Sequence, residues 1–266
     1  MNSRHVQMLR WQAGAKAKRQ RDELALEEPL EVRIETKPIS VTMRTPGHDD
    51  ELAAGFLAAE GLIQCREQVA RIQPYARNER GNVVNVFLAP GVKVDFARLT
   101  RHVFASSSCG LCGKATIEAV HQQFKPVKAK LTVAAKTLLT LPQRLLAAQK
   151  TFARTGGLHA AAIFTADGEL IVLREDVGRH NAVDKVLGYG LLNDLLPLDR
   201  YILVVSGRAS FEIMQKALAG RIPVVASVSA PSSLAVEFAR DSGQTLIGFL
   251  RGDRMNVYAG PKRVRL

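Results

Sequence analysis

The sequence predicts an α/β fold in which a mixed sheet is flanked by helices, preceded by a smaller N-terminal α+β portion. From residue 201 onward, apolar strand-like runs alternate with helical patterns, as is typical of a sheet that is at least partly parallel. Asp167-Gly168 separates two apolar runs and is a strong β-hairpin signal. Nearer the N-terminus, apolar residues alternate along two arms around Lys37-Pro38, which predicts a second, antiparallel hairpin.

The chain divides into three portions by composition. Residues 1–24 are predicted to form a basic flexible tail, without the apolar stretch of a secretory signal. Residues 25–136 form the N-terminal α+β portion, which carries a Cys-x-x-Cys loop. Residues 137–266 form an α/β domain with turns suited to phosphate.

The first helix of the N-terminal portion is predicted to start at Thr45-Pro46, with Thr45 as its cap and acidic residues in its first turn. His48 beside three acidic residues could suggest a metal site, but interaction with the helix N-terminus explains the acids without one. Residues 82–88 then predict a short strand.

In the C-terminal portion a helix is predicted to open at Thr140-Leu141-Pro142 and to stop at Gly156-Gly157. The remaining predicted elements are strands over 158–164 and 169–173, a helix through Val183, Val186 and Leu187, strand 201–205, helix 211–219, strand 222–228, helix 231–240, and strands 245–250 and 255–259.

Composition limits the function classes. The chain has 266 residues, is 47% hydrophobic, and has a formal net charge of +12, so we expect a folded protein with an anionic partner or ligand. Nucleic acid has only this charge in its favour, because no nucleic-acid-binding motif is present. No apolar run is long enough for a membrane span. Three cysteines fit a reducing compartment, which predicts a cytoplasmic protein.

The loop Ser106–Lys114 holds Cys109 and Cys112 and almost no apolar side chain. A helical pattern follows it, so the helix dipole and Lys114 favour a thiolate there. A structural zinc site lacks the usual four ligands, since the one other cysteine, Cys65, stands alone. Three hypotheses remain for this loop: a dithiol oxidoreductase, a sulfur carrier that bears a persulfide, and a pair of incidental thiols.

Two turns lead from the carboxyl end of a predicted strand into a helix. The first turn contains Ser206, Gly207 and Arg208, and the second contains Ser229. Such turns can hold a phosphate through backbone N–H groups, and the serines can equally act only as helix caps. Arg208 in the first turn and residues 251–254 after the next strand add positive charge. Neither a Walker A motif nor a Gly-x-Gly-x-x-Gly fingerprint is present, which argues against a plain NTPase or NAD enzyme.

Five segments together resemble the formate dehydrogenase accessory sulfurtransferase family, FdhD. They are residues 45–52 with 60–63, the Ser-Ser-Cys-Gly-x-Cys-Gly loop, Gly156-Gly157-Leu158-His159-Ala160-Ala161, residues 175–185, and Ser206-Gly207-Arg208-Ala209-Ser210-Phe211-Glu212. The resemblance covers nearly the whole chain apart from the basic tail and residues 121–136.

This resemblance implies a cytidine deaminase-like α/β core without zinc. It also implies a cytoplasmic sulfurtransferase that accepts sulfur from a cysteine desulfurase. The acceptor would be the molybdenum cofactor of the formate dehydrogenase catalytic subunit, in its bis(molybdopterin guanine dinucleotide) form.

Carried over by residue, the resemblance makes Cys109 the persulfide carrier and Cys112 the second cysteine of the pair. It assigns cofactor binding to Phe249, Leu250, Arg251, Gly252, Asp253 and Arg254. A chaperone that delivers the cofactor without carrying sulfur is the alternative function. His159 and His180 are left open between acid–base and structural roles, and the sequence leaves open whether the chain forms a homodimer.

Overall fold

The computed structural model describes residues 2–75, 81–94, 96 and 124–266. Within these ranges the chain forms a mixed α/β structure, as predicted, built around a six-stranded and a four-stranded sheet. Cys109 and Cys112 fall outside the described residues. None of the described helices is long and apolar enough to cross a membrane.

The N-terminal residues form strands where the sequence predicts a flexible tail. Strands β1 (Ser3–Arg10) and β2 (Lys18–Ala25) pair antiparallel along their full lengths. The Nε of Arg154 donates to the Glu23 carboxylate at 2.9 Å, and this tethers the hairpin to the body. The tail prediction is wrong because a charge-rich segment with little apolar alternation gives no local strand signal; the strands are stabilised by pairing with each other.

The four-stranded sheet has the order β4-β3-β6-β5, comprising β3 (Glu28–Ile34), β4 (Lys37–Arg44), β5 (Val69–Pro74) and β6 (Val83–Leu88). The predicted β3–β4 hairpin is confirmed, and β3 also pairs parallel with β6. Its turn lies at Glu35 and Thr36, not at Lys37-Pro38, because these residues take the positive φ values (47° and 70°) that a two-residue hairpin needs.

Helix α1 (Asp49–Ala59) covers this sheet, with its N-cap at His48. The predicted start at Thr45-Pro46 is wrong, since the Thr45 hydroxyl donates instead to the Leu26 carbonyl at 2.9 Å. The acidic residues do occupy the first turn, and both carboxylate oxygens of Asp49 accept from the Arg44 guanidinium at 2.9 Å. These acidic residues therefore stabilise the N-terminus of the helix and form ion pairs.

The six-stranded sheet has the order β13-β12-β11-β10-β8-β9. Strands β10 (Tyr201–Val205), β11 (Val224–Ser227) and β12 (Thr245–Arg251) run parallel, as the alternating pattern predicts. The antiparallel members are β8 (His159–Thr165), β9 (Leu170–Asp176) and β13 (Arg254–Ala259). A further two-stranded parallel pair joins β7 (Val133–Ala134) to β14 (Val264–Arg265).

Helices cover both faces of the six-stranded sheet. They are α2 (Ala135–Ala148), α3 (Phe152–Thr155), α4 (Arg179–Leu192), α5 (Phe211–Ala219) and α6 (Ser233–Asp241). Successive residues of β10 point into different clusters: Leu203 packs with α4 and α5, whereas Ile202 and Val204 pack with α2. The sheet is therefore buried on both faces, which explains its near-continuous apolar strands.

The helix predicted from Thr140 begins at Ala135, so Pro142 lies inside α2. The Thr-Leu-Pro pattern resembles a helix start, but these residues fall in the second and third turns, where Pro142 costs one backbone hydrogen bond. The chain then re-forms a short helix, α3, which ends at Gly156 with φ 65°. The predicted single helix is thus two.

Helices α1 and α4 join the two sheets through glycine contacts. A Cβ at Gly55 would lie 1.7 Å from the Asp184 carbonyl oxygen, and one at Gly188 would lie 1.8 Å from the Glu51 carbonyl oxygen. Only glycine allows the two backbones to approach so closely. The N-terminal portion is thereby fixed directly against the helix that begins at the candidate site.

Candidate functional site

The candidate site lies at one edge of the six-stranded sheet. Because β10, β11 and β12 are parallel, their carboxyl ends meet at this edge. Antiparallel β8 and β9 bring His159 and Asp176 to the same edge, where they pair with each other. The predicted ligand residues 206–208, Ser229 and 249–254 therefore all lie along it, at the place where open α/β sheets commonly bind ligands.

Hydrogen bonds join the turns after these strands into one unit. The Ser227 hydroxyl, which is fully buried, donates to the Gly207 carbonyl at 2.6 Å. The backbone N–H of Ala209 donates to Ala230 at 3.2 Å, and that of Phe249 donates to Ser229 at 3.0 Å. Each turn is thus positioned by its neighbour, so the predicted ligand segments keep a fixed spacing. Sequence reasoning missed Ser227 because its partners are carbonyls of other turns.

The serine hydroxyls of these turns mostly have structural partners. Ser206 Oγ accepts from the Ala160 N–H at 2.8 Å, and Ser232 Oγ caps α6 by accepting from Ala235 at 3.2 Å. For these two serines the capping and bracing interpretation holds. An anion at this edge would have to be held by backbone N–H groups and by cationic side chains.

Such side chains cluster at the start of α4 and after β10. Arg179 begins α4, Arg208 follows β10 with an exposed side chain, and His159 opens β8. Burial together with the positive charges of Arg179, His180 and Arg208 lowers the pKa of His159. The buried Nε of Arg179 has no hydrogen-bond partner within the described residues. We call Arg179 and Arg208, together with His159 beside them, the cationic cluster; the two guanidinium groups carry its charge and favour a negatively charged ligand.

Gly207 lets this cluster assemble. A Cβ at this position would lie 3.2 Å from His159 Nδ1 and 3.8 Å from the Cβ of Arg179. The first of these distances is tighter than an ordinary van der Waals contact, so a larger residue would push His159 out of place. The Ser-Gly-Arg sequence therefore combines close backbone approach with a cation beside it.

His180 and Glu212 form a buried pair next to the cluster. His180 Nε2 lies 2.9 Å from Glu212 Oε2 and 3.3 Å from Ser210 Oγ. Each residue of the pair is 8% exposed. The other oxygen of Glu212, Oε1, is buried and accepts no hydrogen bond from the described residues. Glu212 was not singled out as a site residue in the sequence, because its pairing with His180 joins two separate helices.

The start of α4 is held by a buried polar group around Asp176. Lys185 Nζ lies 2.7 Å from Asp176 Oδ2 and donates to the Thr45 carbonyl at 2.9 Å. Asp176 Oδ1 accepts from the Gly178 N–H at 2.8 Å and from Asn181 at 3.0 Å. These contacts explain residues 45 and 176–185 as supports that orient Arg179 and His180.

The segment 249–254 forms the β12–β13 turn at the far end of the same edge. Arg251, Gly252, Asp253 and Arg254 are exposed, and Arg251 lies 5.7 Å above the ring of Phe249. Phe249 itself takes a positive φ of 51°. Leu250 is fully buried in the core, so its side chain cannot contact a ligand. Exposed arginines and turn backbone make this segment suitable for phosphates.

Cys65 is the one cysteine within the described ranges, and its side chain is exposed. A hydrogen bond to Glu67 and slight desolvation raise its pKa, so this thiol is not activated. Among the described residues no group of three or more potential ligands could hold a metal ion. Because both loop cysteines lie outside the described residues, the absence of zinc stays a prediction.

The sequence profile of the FdhD/NarQ family matches residues 25–265. The chain belongs to this family. A protein named sulfur carrier protein FdhD from Mycobacterium tuberculosis is 54% identical over 251 residues, covering 91% of each chain. One of the same name from Streptomyces coelicolor is 54% identical over 253 residues, covering 92% of this chain and 90% of the relative.

Structural similarity agrees with this membership. The crystal structure of a protein assigned as a formate dehydrogenase accessory protein, from Desulfotalea psychrophila, superposes with a TM-score of 0.80 at 25% identity. The match covers 100% of both chains. The FdhD/NarQ member described here thus shares its overall fold with that protein.

Proposed function

We propose that this FdhD/NarQ protein is a sulfur carrier that serves formate dehydrogenase. Cys109 would accept a sulfane sulfur from a cysteine desulfurase and pass it to the molybdenum cofactor, in its bis(molybdopterin guanine dinucleotide) form. The relatives named sulfur carrier protein FdhD and the formate dehydrogenase accessory protein of similar fold support this direction.

The observation that carries the proposal is the single sheet edge that combines the cationic cluster with the 249–254 turn. A guanine dinucleotide cofactor brings several phosphates, which need cations and free N–H groups at separated points. Arg208 and Arg251 are exposed on this edge after β10 and at the end of β12, with the turn after β11 between them. The cofactor is cargo here, and these residues have the charge and accessibility to hold its phosphates.

The sulfur steps balance with the two loop cysteines, a donor persulfide and a cellular dithiol as reductant. The Cys109 thiolate attacks the terminal sulfur of the donor persulfide. The donor cysteine leaves as a thiolate, and Cys109 now carries the persulfide. Attack by the Cys112 thiolate on the Cys109 sulfur then forms a Cys109–Cys112 disulfide and releases hydrosulfide to the acceptor. A cellular dithiol must reduce the disulfide before the next cycle, which suits a reducing cytoplasm.

Peptide mass spectrometry tests the carrier step. The full chain is incubated with an active cysteine desulfurase and cysteine, and one reductant-removable sulfur is expected on the peptide that contains Cys109 and Cys112. Cys109→Ala should lose this sulfur and the maturation of formate dehydrogenase, whereas Cys65→Ala should keep both. An unmodified wild-type peptide, or full maturation with Cys109→Ala, would contradict the carrier role.

Maturation of formate dehydrogenase by a cysteine variant, and not guanosine diphosphate binding, separates this proposal from the alternative of a delivery chaperone. Both functions predict that Arg208→Ala with Arg251→Ala weakens binding of this probe. Only the chaperone predicts full maturation of formate dehydrogenase by the variant that lacks both Cys109 and Cys112.

A further inference from the structure

A groove of about 630 Å³ lies at the sheet edge opposite the candidate site. One wall is the extended segment Ala129–Thr132, and the other comes from Gly260–Arg263 and the end of α6. Gly243 and Gly260 lie between them with φ values of 68° and 60°. The volume is within the range of about 300–1,000 Å³ that is usual for ligand pockets.

The described residues that line this groove carry only positive charge. They include Lys130, Arg240, Lys262 and Arg263, and none of the described lining residues is an aspartate or glutamate. The first three are exposed, and the structure records no ion pair for them with any described residue. Uncompensated cations this close together create a local positive potential that attracts an acidic ligand.

Arg263 forms a fixed wall of the groove. Its guanidinium donates to the Gly243 carbonyl at 2.9 Å and to the Ala129 carbonyl at 3.3 Å. Burial lowers its pKa, but an arginine side chain stays protonated at neutral pH. The three exposed cations therefore lie around a rigid wall, so the groove exists before a ligand arrives.

The groove is separate from the candidate site. β12 starts beside it at Thr245 and ends at Arg251 on the opposite edge, and the strand contains seven residues. At about 3.3 Å per residue the two edges are roughly 20 Å apart. An occupant of the groove would not compete with a ligand at the candidate site.

We propose that this basic groove binds an acidic, extended segment of a partner protein. Charge complementarity requires an acidic occupant, and the groove also exposes apolar surface from Leu131 and Pro261. Within the described part of the chain the lining has no aromatic ring on which a base could stack, and stacking supplies much of the affinity for single-stranded nucleic acid. A peptide with alternating acidic and apolar side chains fits both features.

The test is fluorescence anisotropy with the full chain and a labelled peptide of alternating Glu and Ala, at an ionic strength of about 0.15 M. The wild-type chain should bind this probe saturably, and a peptide of alternating Gln and Ala should not bind. Charge reversal by Lys130→Glu, Arg240→Glu and Lys262→Glu should raise Kd by about ten-fold or more, equivalent to 1.4 kcal/mol.

A matched control carries the same change of charge elsewhere. Lys16→Glu, Lys18→Glu and Arg19→Glu change exposed residues at the far end of the β1–β2 hairpin, and we expect less than about a two-fold change in Kd. If Arg240→Glu prevents folding because of its contact with the Tyr258 carbonyl, Lys130→Glu with Lys262→Glu gives the same test.

Three results would overturn the proposal. The first is that the wild-type chain does not bind the acidic peptide saturably, and the second is that the groove and control variants weaken binding equally. The third is that the wild-type chain binds an oligothymidylate but not the acidic peptide, and that the groove variant no longer binds the oligothymidylate. None of these readouts depends on sulfur transfer, so the groove and the carrier function can fail independently.

Discussion

Lys185 and Asp176 form an ion pair of 2.7 Å in which the two side chains are 1% and 0% exposed. Lys185 extends from α4, and Asp176 ends β9. The same two side chains bind the backbone of Thr45, so this pair connects the N-terminal portion to the candidate site.

Lys185→Met should lower the free energy of unfolding by about 3–5 kcal/mol, because it leaves the Asp176 carboxylate buried without its cation. The change would be measured by urea denaturation monitored by circular dichroism. Lys150→Met removes an exposed lysine and should change stability by less than about 0.5 kcal/mol. Similar stabilities for the two variants would show that the buried pair is not needed.

Gly188→Ala should destabilise the protein by about 3 kcal/mol or more, since its Cβ would lie 1.8 Å from the Glu51 carbonyl oxygen. Gly157→Ala is the matched control, because the nearest atom to its Cβ would be 3.7 Å away. Thermal melting of both variants provides the comparison. A Gly188→Ala variant that melts with the wild type would contradict the close approach of α1 and α4.

The Glu51–Arg174 pair should make stability depend on pH. Burial opposes ionisation of Glu51, but hydrogen bonds from Arg174, one of them 2.6 Å long, and from His48 outweigh it and lower the carboxyl pKa. A lowered pKa in the folded state contributes stability above the unfolded pKa, and this contribution is lost as the pH falls through the folded value. Arg174→Gln should cost about 2 kcal/mol at neutral pH.

Denaturant titrations from about pH 7 to about pH 3 would check this prediction. The difference between wild type and Arg174→Gln should shrink at the acid end, and in a Glu51→Gln background it should be small throughout. A difference that stays constant with pH would show that the arginine stabilises the fold by packing alone.

The pKa of His159 should rise when Arg208 is replaced by Gln. Burial holds this pKa below its usual value and would continue to do so, but removal of one nearby cation makes the imidazolium less unfavourable. Titration of the ring protons by NMR would measure the change, with Arg240→Gln at the opposite sheet edge as control. An unchanged His159 titration would place Arg208 outside the cationic cluster.

The same pKa direction has a consequence for the folded state. The folded pKa of His159 lies below the unfolded value, so the unfolded chain takes up a proton more readily than the folded one. The free energy of unfolding therefore decreases as the pH falls below about 6.5. His159→Gln should therefore flatten the stability profile between about pH 7 and about pH 5. A profile identical to that of the wild type would argue against this burial of His159.

Local sequence patterns predicted much of the fold. The parallel strands and the helix 211–219 follow from apolar runs and a terminal glycine, which are properties of short segments. The pairing of β1 with β2 was missed, because strand formation by charged residues depends on the partner strand. The start of α1 was misplaced because the Thr45 hydroxyl and N–H bind Leu26 and Asp176, which are distant in sequence.

The candidate site, like the fold, was predicted from the sequence only in part. The turns with Ser206-Gly207-Arg208 and Ser229 were found because they follow strands and precede helices. Arg179 and Glu212 were not singled out, since nothing local distinguishes them from ordinary charged residues at helix starts. Their importance depends on one buried side-chain atom in each that has no hydrogen-bond partner among the described residues. This property emerges only when α4 and α5 meet the sheet edge.

The separation of the two edges by β12 has a kinetic consequence. Since the basic groove and the cationic cluster lie at opposite ends of this strand, one molecule can hold a partner segment and a phosphorylated ligand at the same time. Binding need not then alternate, as it must when two occupants share a surface. A ternary complex would form in either order, and saturation with one occupant would leave the association rate of the other unchanged.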